Sequence, residues 1–132
     1  MPANPVFDNH TTPGYYAFLY GAEYETLTES SNNLEPTCAV CRIARATQIM
    51  VPGTNECMSG WRQEYSGYLM AGYYAHPAAS EYVCVDSSFG YLPGTQANND
   101  GRRLYYTLSK CGSLACPPYE DRKVVLCAVC SK

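Results

Sequence analysis

The sequence is poor in charged residues, and this shortage excludes several classes of protein. Charged side chains make up only 16% of the 132 residues, while hydrophobic side chains make up 46%. A chain with this balance can bury a core and is not disordered. Nine basic residues against twelve acidic ones give a net charge of −3, which offers no basic surface to nucleic acid. No apolar run approaches the roughly 20 residues that a membrane-spanning helix requires.

Histidines and catalytic motifs are also scarce. The two histidines, His10 and His76, lie in polar or turn-like segments, and neither is near a nucleophile motif such as G-x-S-x-G. Glu23 and Glu25 would share one face of a strand, but a solvated strand face explains such a pair equally well. None of the roles that an active site requires can be assigned. We therefore expect a binding protein and not an enzyme.

Cysteine and tyrosine, in contrast, are abundant. The chain has 8 cysteines and 13 tyrosines but only 1 tryptophan. An even and high cysteine count is typical of secreted domains that disulfides stabilise, because reducing compartments keep thiols reduced. The sequon Asn9-His10-Thr11 agrees with an extracellular location. No signal peptide is visible at the N-terminus, so we expect a mature or trimmed form of a secreted protein.

Two C-x-x-C motifs, Cys38–Cys41 and Cys127–Cys130, raise zinc binding as an alternative. The motifs lie far apart in the sequence, and the strand-like Ala-Val between the cysteines would place the two sulfurs on opposite faces. Four further cysteines would also stay unexplained. We therefore predict disulfides for all eight, with a connectivity that the sequence leaves open. The eight are Cys38, Cys41, Cys57, Cys84, Cys111, Cys116, Cys127 and Cys130.

Two stretches of the chain resemble each other, with their motifs in the same order. Each has a Pro-Gly pair, then a segment that begins with Tyr and ends in Thr-Leu, then Cys-Ala-Val-Cys. The motifs are Pro13-Gly14, Tyr24–Leu27 and Cys38–Cys41 in one copy, and Pro93-Gly94, Tyr105–Leu108 and Cys127–Cys130 in the other. This order predicts a duplicated half-domain. We expect one domain over 1–132, with 1–45 as the tail of a first, incomplete repeat, 46–132 as the second, and further residues ahead of Met1.

Short apolar segments separated by turn residues predict an all-β or β-rich fold that disulfides stabilise. Helix signals are weak throughout, and 42–48 is expected to form no more than a turn. Gly67 is a candidate for a β-bulge. The predicted strands are 46–51, 64–70, 81–86, 103–108 and 123–129.

The segment Asn98-Asn99-Asp100-Gly101 is the sharpest polar cluster. Asn/Asp-Gly sequences favour turns, and amide and carboxylate oxygens are also the ligands that calcium prefers. The two interpretations are compatible, because loops on a rigid scaffold often carry binding sites. We predict a calcium site with ligands from Glu81, Asp86, Asn98 and Asp100.

Aromatic rings beside such a loop would offer apolar faces to a sugar. Tyr74, Tyr91 and Trp61 are the candidate rings, and His76 and Arg102 are the candidate hydrogen-bond donors. Core packing is the alternative for Trp61, because tryptophan is highly buried on average.

Several motifs resemble those of a known family. They are Thr37–Arg42, Cys57–Trp61, Glu64–Met70, Glu81–Asp86, Cys116–Tyr119 and Cys127–Cys130. From about Tyr20 onward the chain resembles the C-terminal non-collagenous domain of short-chain (spongin-type) collagens of sponges and cnidarians, although it has no Gly-X-Y stretch. The resemblance implies an extracellular invertebrate protein, and domains of this type are similar to a cnidarian calcium-dependent, galactose-binding lectin. The resemblance assigns no site residue.

These observations predict an extracellular calcium-dependent lectin for galactose-containing glycans. Because sugar sites of this kind are shallow and weak, we expect a homo-oligomer that gains avidity. The alternative is a structural module of the extracellular matrix, which would assemble through its tyrosine-rich faces and need no small ligand. Neither interpretation involves nucleic acid or a membrane span.

Overall fold

The computed structural model describes residues 6–8, 19–25, 31–77, 80–99 and 101–132. These ranges hold six β-strands and no helix, and the strands form one mixed sheet. The strands are β1 (Ala22–Tyr24), β2 (Gln48–Pro52), β3 (Arg62–Ala71), β4 (Val83–Asp86), β5 (Arg102–Tyr106) and β6 (Leu126–Ser131). The prediction of a β-rich, disulfide-stabilised fold is confirmed.

The sheet is mostly antiparallel and has β3 at its centre. Its order is β1-β5-β3-β6-β2, and β4 also pairs with β3. β3 is antiparallel to β4, β5 and β6, whereas β1 and β5 are parallel. A parallel pair needs a long connection, and here it joins a strand from the first 45 residues to one more than 75 residues later. The first segment of the chain is therefore part of the same sheet.

The hydrophobic core is small and rich in aromatic rings. Tyr24, Met70 and Leu104 are buried together at its centre, where β1, β3 and β5 meet. Tyr68, Val85, Phe89 and Tyr106 pack around them. The rings contact each other in tilted or edge-on pairs, with centroids 5.0 Å apart for Tyr24–Phe89 and 5.1 Å apart for Tyr68–Tyr106, as aromatic pairs prefer.

Three disulfides supplement this core. Cys84–Cys127 joins β4 to β6, Cys57–Cys130 joins the segment after β2 to β6, and Cys111–Cys116 closes a short loop. Both cysteines of the second Cys-Ala-Val-Cys motif therefore lie in one strand and bond in different directions, as the strand-like interpretation predicts.

Cys38 and Cys41 do not form disulfides, in contrast to the prediction that all eight cysteines are bridged. Both are exposed and carry free thiols. The first Cys-Ala-Val-Cys motif lies outside the sheet, where no strand holds another cysteine opposite either thiol. The prediction for these two residues is corrected accordingly.

Gly67 is not at a β-bulge, so that prediction is wrong. The irregularity of register in β3 lies between Gln63 and Tyr65. Gly67 instead pairs with Asp86 on one neighbour and Cys127 on another. A Cβ atom at this position would lie 1.8 Å from the carbonyl oxygen of Val85. Glycine is required here because β4 approaches the β3 backbone too closely for any side chain.

A polar clamp fixes the end of β6 to the segment before β2. The Arg45 side chain pairs with Glu64, and both hydrogen-bond to the buried hydroxyl of Ser131. Thr47 and Lys132 add two reciprocal backbone hydrogen bonds of 3.0 Å each. The hydrogen bond from Ser131, followed by that from Arg45, lowers the pKa of the Glu64 carboxyl group.

Candidate functional site

The alternation of side chains along β1 and β5 divides the residues of these strands between two faces. The parallel register places Glu23 opposite Arg103 and Tyr24 opposite Leu104. Because successive side chains point to opposite faces, Tyr24 and Leu104 enter the core, as their burial confirms. Glu23, Glu25, Arg103 and Tyr105 lie on the other face. We call these four residues, together with Asn98, Tyr73, Tyr74 and His76, the polar–aromatic face.

Arg103 is the centre of the charged half of this face. Its Nε atom lies 3.5 Å from Oε2 of Glu25, and its Nη2 atom donates a 3.0 Å hydrogen bond to Oδ1 of Asn98. A hydrogen bond with Tyr105 raises the pKa of the guanidinium, and the carboxylates of Glu25 and Glu23 add to the effect. Arg103 is therefore held in one orientation by partners on three sides.

Glu23 is a buried carboxylate beneath the Asn98–Gly101 loop. Its side chain is only 3% exposed. Oε1 accepts a 3.0 Å hydrogen bond from the backbone N–H of Asn99, while Oε2 is buried without a hydrogen-bond partner among the described residues. Burying a carboxylate oxygen unpaired is costly. Glu23 thus adds a second carboxylate near the Arg103 guanidinium and lies next to the loop that the sequence predicts to bind calcium.

The aromatic half of the face is a cluster of four rings. Tyr73 lies at its centre, with ring centroids 4.8 Å from Tyr74, 5.1 Å from His76 and 5.4 Å from Tyr105. A turn closed by a 3.1 Å hydrogen bond from His76 N–H to the carbonyl of Tyr73 brings the first three together. Tyr74 is 91% exposed. The Tyr74 ring is thus presented to solvent and packs against Tyr73, which in turn contacts the other two rings.

Tyr105 connects the two halves of the face. It hydrogen-bonds to Arg103 and its ring contacts Tyr73. A flat apolar ring therefore lies close to fixed donors and acceptors. A ligand with both an apolar face and several hydroxyl groups suits this combination.

The structure places only some of the predicted ligand residues here. Tyr74, His76 and Asn98 belong to the face. Arg102 is exposed at the start of β5, one position away from Arg103, and so points to the opposite side of the strand. Trp61 and Tyr91 lie elsewhere: Trp61 is half-buried just before β3, and Tyr91 forms an isolated bridge with Pro36.

Two of the predicted calcium ligands, Glu81 and Asp86, are held apart by a strand. Glu81 precedes β4 and Asp86 ends it, so the strand separates the two carboxylates. Oδ1 of Asp86 already accepts a 2.8 Å hydrogen bond from Ser88 N–H. Asp100 lies outside the described residues. Within the described ranges, no three His, Cys, Asp or Glu side chains are grouped so as to hold a metal ion.

Sequence reasoning missed Glu23, Arg103, Tyr73 and Tyr105 as members of the site. For Glu23 the sequence does contain a signal, because its spacing from Glu25 places both carboxylates on one face of a strand. The other three become evident only when β1 pairs with β5 and the 72–77 turn folds over Tyr105.

Comparisons with known proteins complete the description of the site. Protein-family models, curated proteins and solved structures give no match to this chain. The resemblance to the non-collagenous domain of short-chain collagens therefore stays a prediction. No helix in the described part of the chain is long and apolar enough to span a membrane.

Proposed function

We propose that the protein is an extracellular, calcium-dependent carbohydrate-binding protein, a lectin for galactose-type sugars, and that the polar–aromatic face is its binding site. The observation that carries the proposal is the contact of Tyr105 with both Arg103 and Tyr73, which joins the charged and aromatic halves. The disulfides are compatible with a secreted protein. The protein has a binding role in this proposal, with no catalytic step.

The exposed ring of Tyr74 supplies the apolar surface for the sugar. Tyrosine contributes a rigid ring at low entropic cost, and its packing against Tyr73 limits its freedom further. The hydroxyl groups of the sugar would accept hydrogen bonds from Arg103 and donate to Glu25 or Asn98. Since Arg103 is already fixed by these residues, little ordering is lost on binding.

The Asn98–Gly101 loop is the proposed calcium site, with Glu23 as its anchoring carboxylate. The buried Oε2 atom of Glu23, which no described residue hydrogen-bonds, fits a hard cation, since such a cation prefers carboxylate and amide oxygens. Asp100 is the further candidate from the predicted ligand set, because the side-chain oxygen of Asn98 already accepts a hydrogen bond from Arg103. A bound calcium ion would offer a direct ligand site to sugar hydroxyl groups.

Frontal affinity chromatography on immobilised lactose, in calcium buffer, tests the location of the site. Tyr74→Ala is expected to reduce retention at least tenfold, because it removes the exposed ring without touching the core. Tyr119→Ala is the matched control: this tyrosine is also exposed but lies against Gly53, at the β2 edge of the sheet. Equal retention of the Tyr74 variant and wild type would contradict the proposal.

A structural matrix module is the second candidate. The observation in its favour is the exposed Thr37–Arg42 segment, which carries two free thiols and the fully exposed side chain of Val40. Size-exclusion chromatography with and without EDTA separates the candidates. An assembly that is indifferent to chelation, in a protein that does not bind lactose, would favour the matrix module.

A further inference from the structure

Two copies of one tetrapeptide have opposite environments in this protein. In β6, Cys127-Ala128-Val129-Cys130 is buried, with Ala128 0% and Val129 4% exposed. The identical sequence at Cys38–Cys41 is exposed at all four residues. An apolar segment that suits a buried strand is thus displayed on the surface.

The cysteines of the two copies differ in the same way. Cys127 bonds to Cys84 and Cys130 bonds to Cys57, so each cysteine of the buried copy joins a separate segment. Cys38 and Cys41 carry the only free thiols, because the other six cysteines are all bridged. Within residues 1–132, the one cysteine left as a partner for either of them is the other.

Cys38 and Cys41 also lie beside different elements of the fold. Burial raises the pKa of Tyr24, and Cys38 adds to the effect. Burial, then Asp86, then Cys41 raise the pKa of Tyr65. The Tyr24 hydroxyl is bound to the carbonyl of Gly90, at 3.3 Å, and the Tyr65 hydroxyl to that of Cys84, at 2.9 Å.

The base of the segment is fixed, which leaves the thiols at a defined place. Pro36 forms a β-bridge with Tyr91, and Thr37 N–H donates a 3.3 Å hydrogen bond to the carbonyl of Gly90. Residues 38–42 then continue without any backbone pairing among the described residues. The segment offers unpaired backbone, an apolar side chain and two thiols to another polypeptide.

We propose that Cys38 and Cys41 join two copies of this chain through interchain disulfides. A second copy is the partner that matches the site: it presents the same exposed apolar segment and two further thiols, so that all four are used. A symmetric dimer of this kind is also the commonest closed assembly. The inference does not depend on carbohydrate binding.

The chemistry is thiol–disulfide exchange with a low-molecular-weight disulfide such as oxidised glutathione. One thiolate attacks the glutathione disulfide and releases one glutathione; the thiolate of the other copy then displaces the second. For each interchain bond, two protein thiols are oxidised and one glutathione disulfide is reduced to two glutathione thiols. The exposure of both cysteines permits this attack.

The test uses the full chain, refolded in a glutathione redox buffer from an equal mixture of ¹⁴N- and ¹⁵N-labelled protein. We expect a dimer on a non-reducing gel that becomes a monomer on reduction. After proteolysis without reduction, mass spectrometry is expected to find mixed-isotope peptide pairs that contain Cys38 or Cys41. Free thiols at both positions, or an intrachain Cys38–Cys41 bridge, would overturn the proposal.

Two double variants complete the design. Cys38→Ser with Cys41→Ser is expected to give a monomer that keeps its three internal bridges. Cys111→Ser with Cys116→Ser, which also removes two cysteines from outside the strands, is expected to leave the linked dimer intact. A covalent dimer that persists without Cys38 and Cys41 would refute the assignment.

Discussion

Substituting Gly67 by alanine tests the packing of β4 on β3. The added Cβ atom would lie 1.8 Å from the carbonyl oxygen of Val85 and 2.7 Å from the backbone nitrogen of Ser87, whereas ordinary contacts begin near 3.4 Å. Both obstructing atoms belong to the backbone, so no side-chain rotation relieves the clash. β4 must therefore move away from β3 by more than about 1 Å, because the 1.8 Å separation has to grow to that of an ordinary contact.

The cost follows from what this movement disturbs. Overpacking a core position costs about 1–3 kcal/mol, and each weakened hydrogen bond of the four-residue β3–β4 pairing adds about 1 kcal/mol. We expect Gly67→Ala to lose about 3 kcal/mol, which corresponds to a fall of roughly 10 °C in Tm for a domain of this size. Calorimetry with the disulfides intact measures the change.

Gly21→Ala is the matched control for this measurement. A Cβ atom at Gly21 would meet no described residue within 4 Å, so the variant is expected to stay within about 0.5 kcal/mol of wild type. If Gly67→Ala melts within 2 °C of wild type, on the order of a surface substitution, the close approach of β4 to β3 is refuted. The same holds if the two variants lose equal stability.

Three further predictions concern the bridges, the clamp and the cation site. Removing the Cys84–Cys127 bridge is expected to cost about 4 kcal/mol, and removing the Cys111–Cys116 bridge about 2 kcal/mol. The difference arises because the entropy cost of closing a loop in the unfolded chain grows with its length, and the bridged residues are 43 and 5 positions apart. Urea unfolding of the two variants measures both losses. The lowered pKa of Glu64 means that its stabilising effect is present above the ordinary value of 4.5 and is lost as the pH falls through the lower folded value. The stability difference between wild type and Glu64→Gln in urea unfolding should therefore shrink from pH 7 to pH 3, and a constant difference would contradict the clamp. Equilibrium dialysis with radioactive calcium is expected to show that Glu23→Gln abolishes calcium uptake and that Glu81→Gln leaves it unchanged. The reverse pattern would favour the ligand set predicted from the sequence.

The parts of the fold that the sequence predicts are those that depend on local pattern. Alternating apolar residues bounded by turn residues predict β2 to β6, with ends that differ by a few residues from those observed. The three-residue β1 is too short to be recognised in this way. Its place beside β5 depends on a pairing across more than 75 residues, which no local pattern specifies.

The candidate site shows the same limit more sharply. Tyr74 and His76 are predicted because one turn holds them near each other. The sequence predicts Arg102 as a hydrogen-bond donor, whereas Arg103 is the arginine on the polar–aromatic face, because a shift of one residue along a strand exchanges its two faces. The register that decides between them is set by pairing with β1. The pairing of the cysteines also depends on the sheet. Only the second Cys-Ala-Val-Cys copy lies in a strand, and there both of its cysteines are within bonding distance of other cysteines.

Isothermal titration of galactose or lactose into the full chain, first with calcium and then with EDTA, tests the central claim most directly. The account predicts saturable heat with one site per chain in calcium and none after chelation. Absence of heat in both buffers, from protein whose near-UV circular dichroism shows native tertiary structure, would contradict carbohydrate binding at the polar–aromatic face.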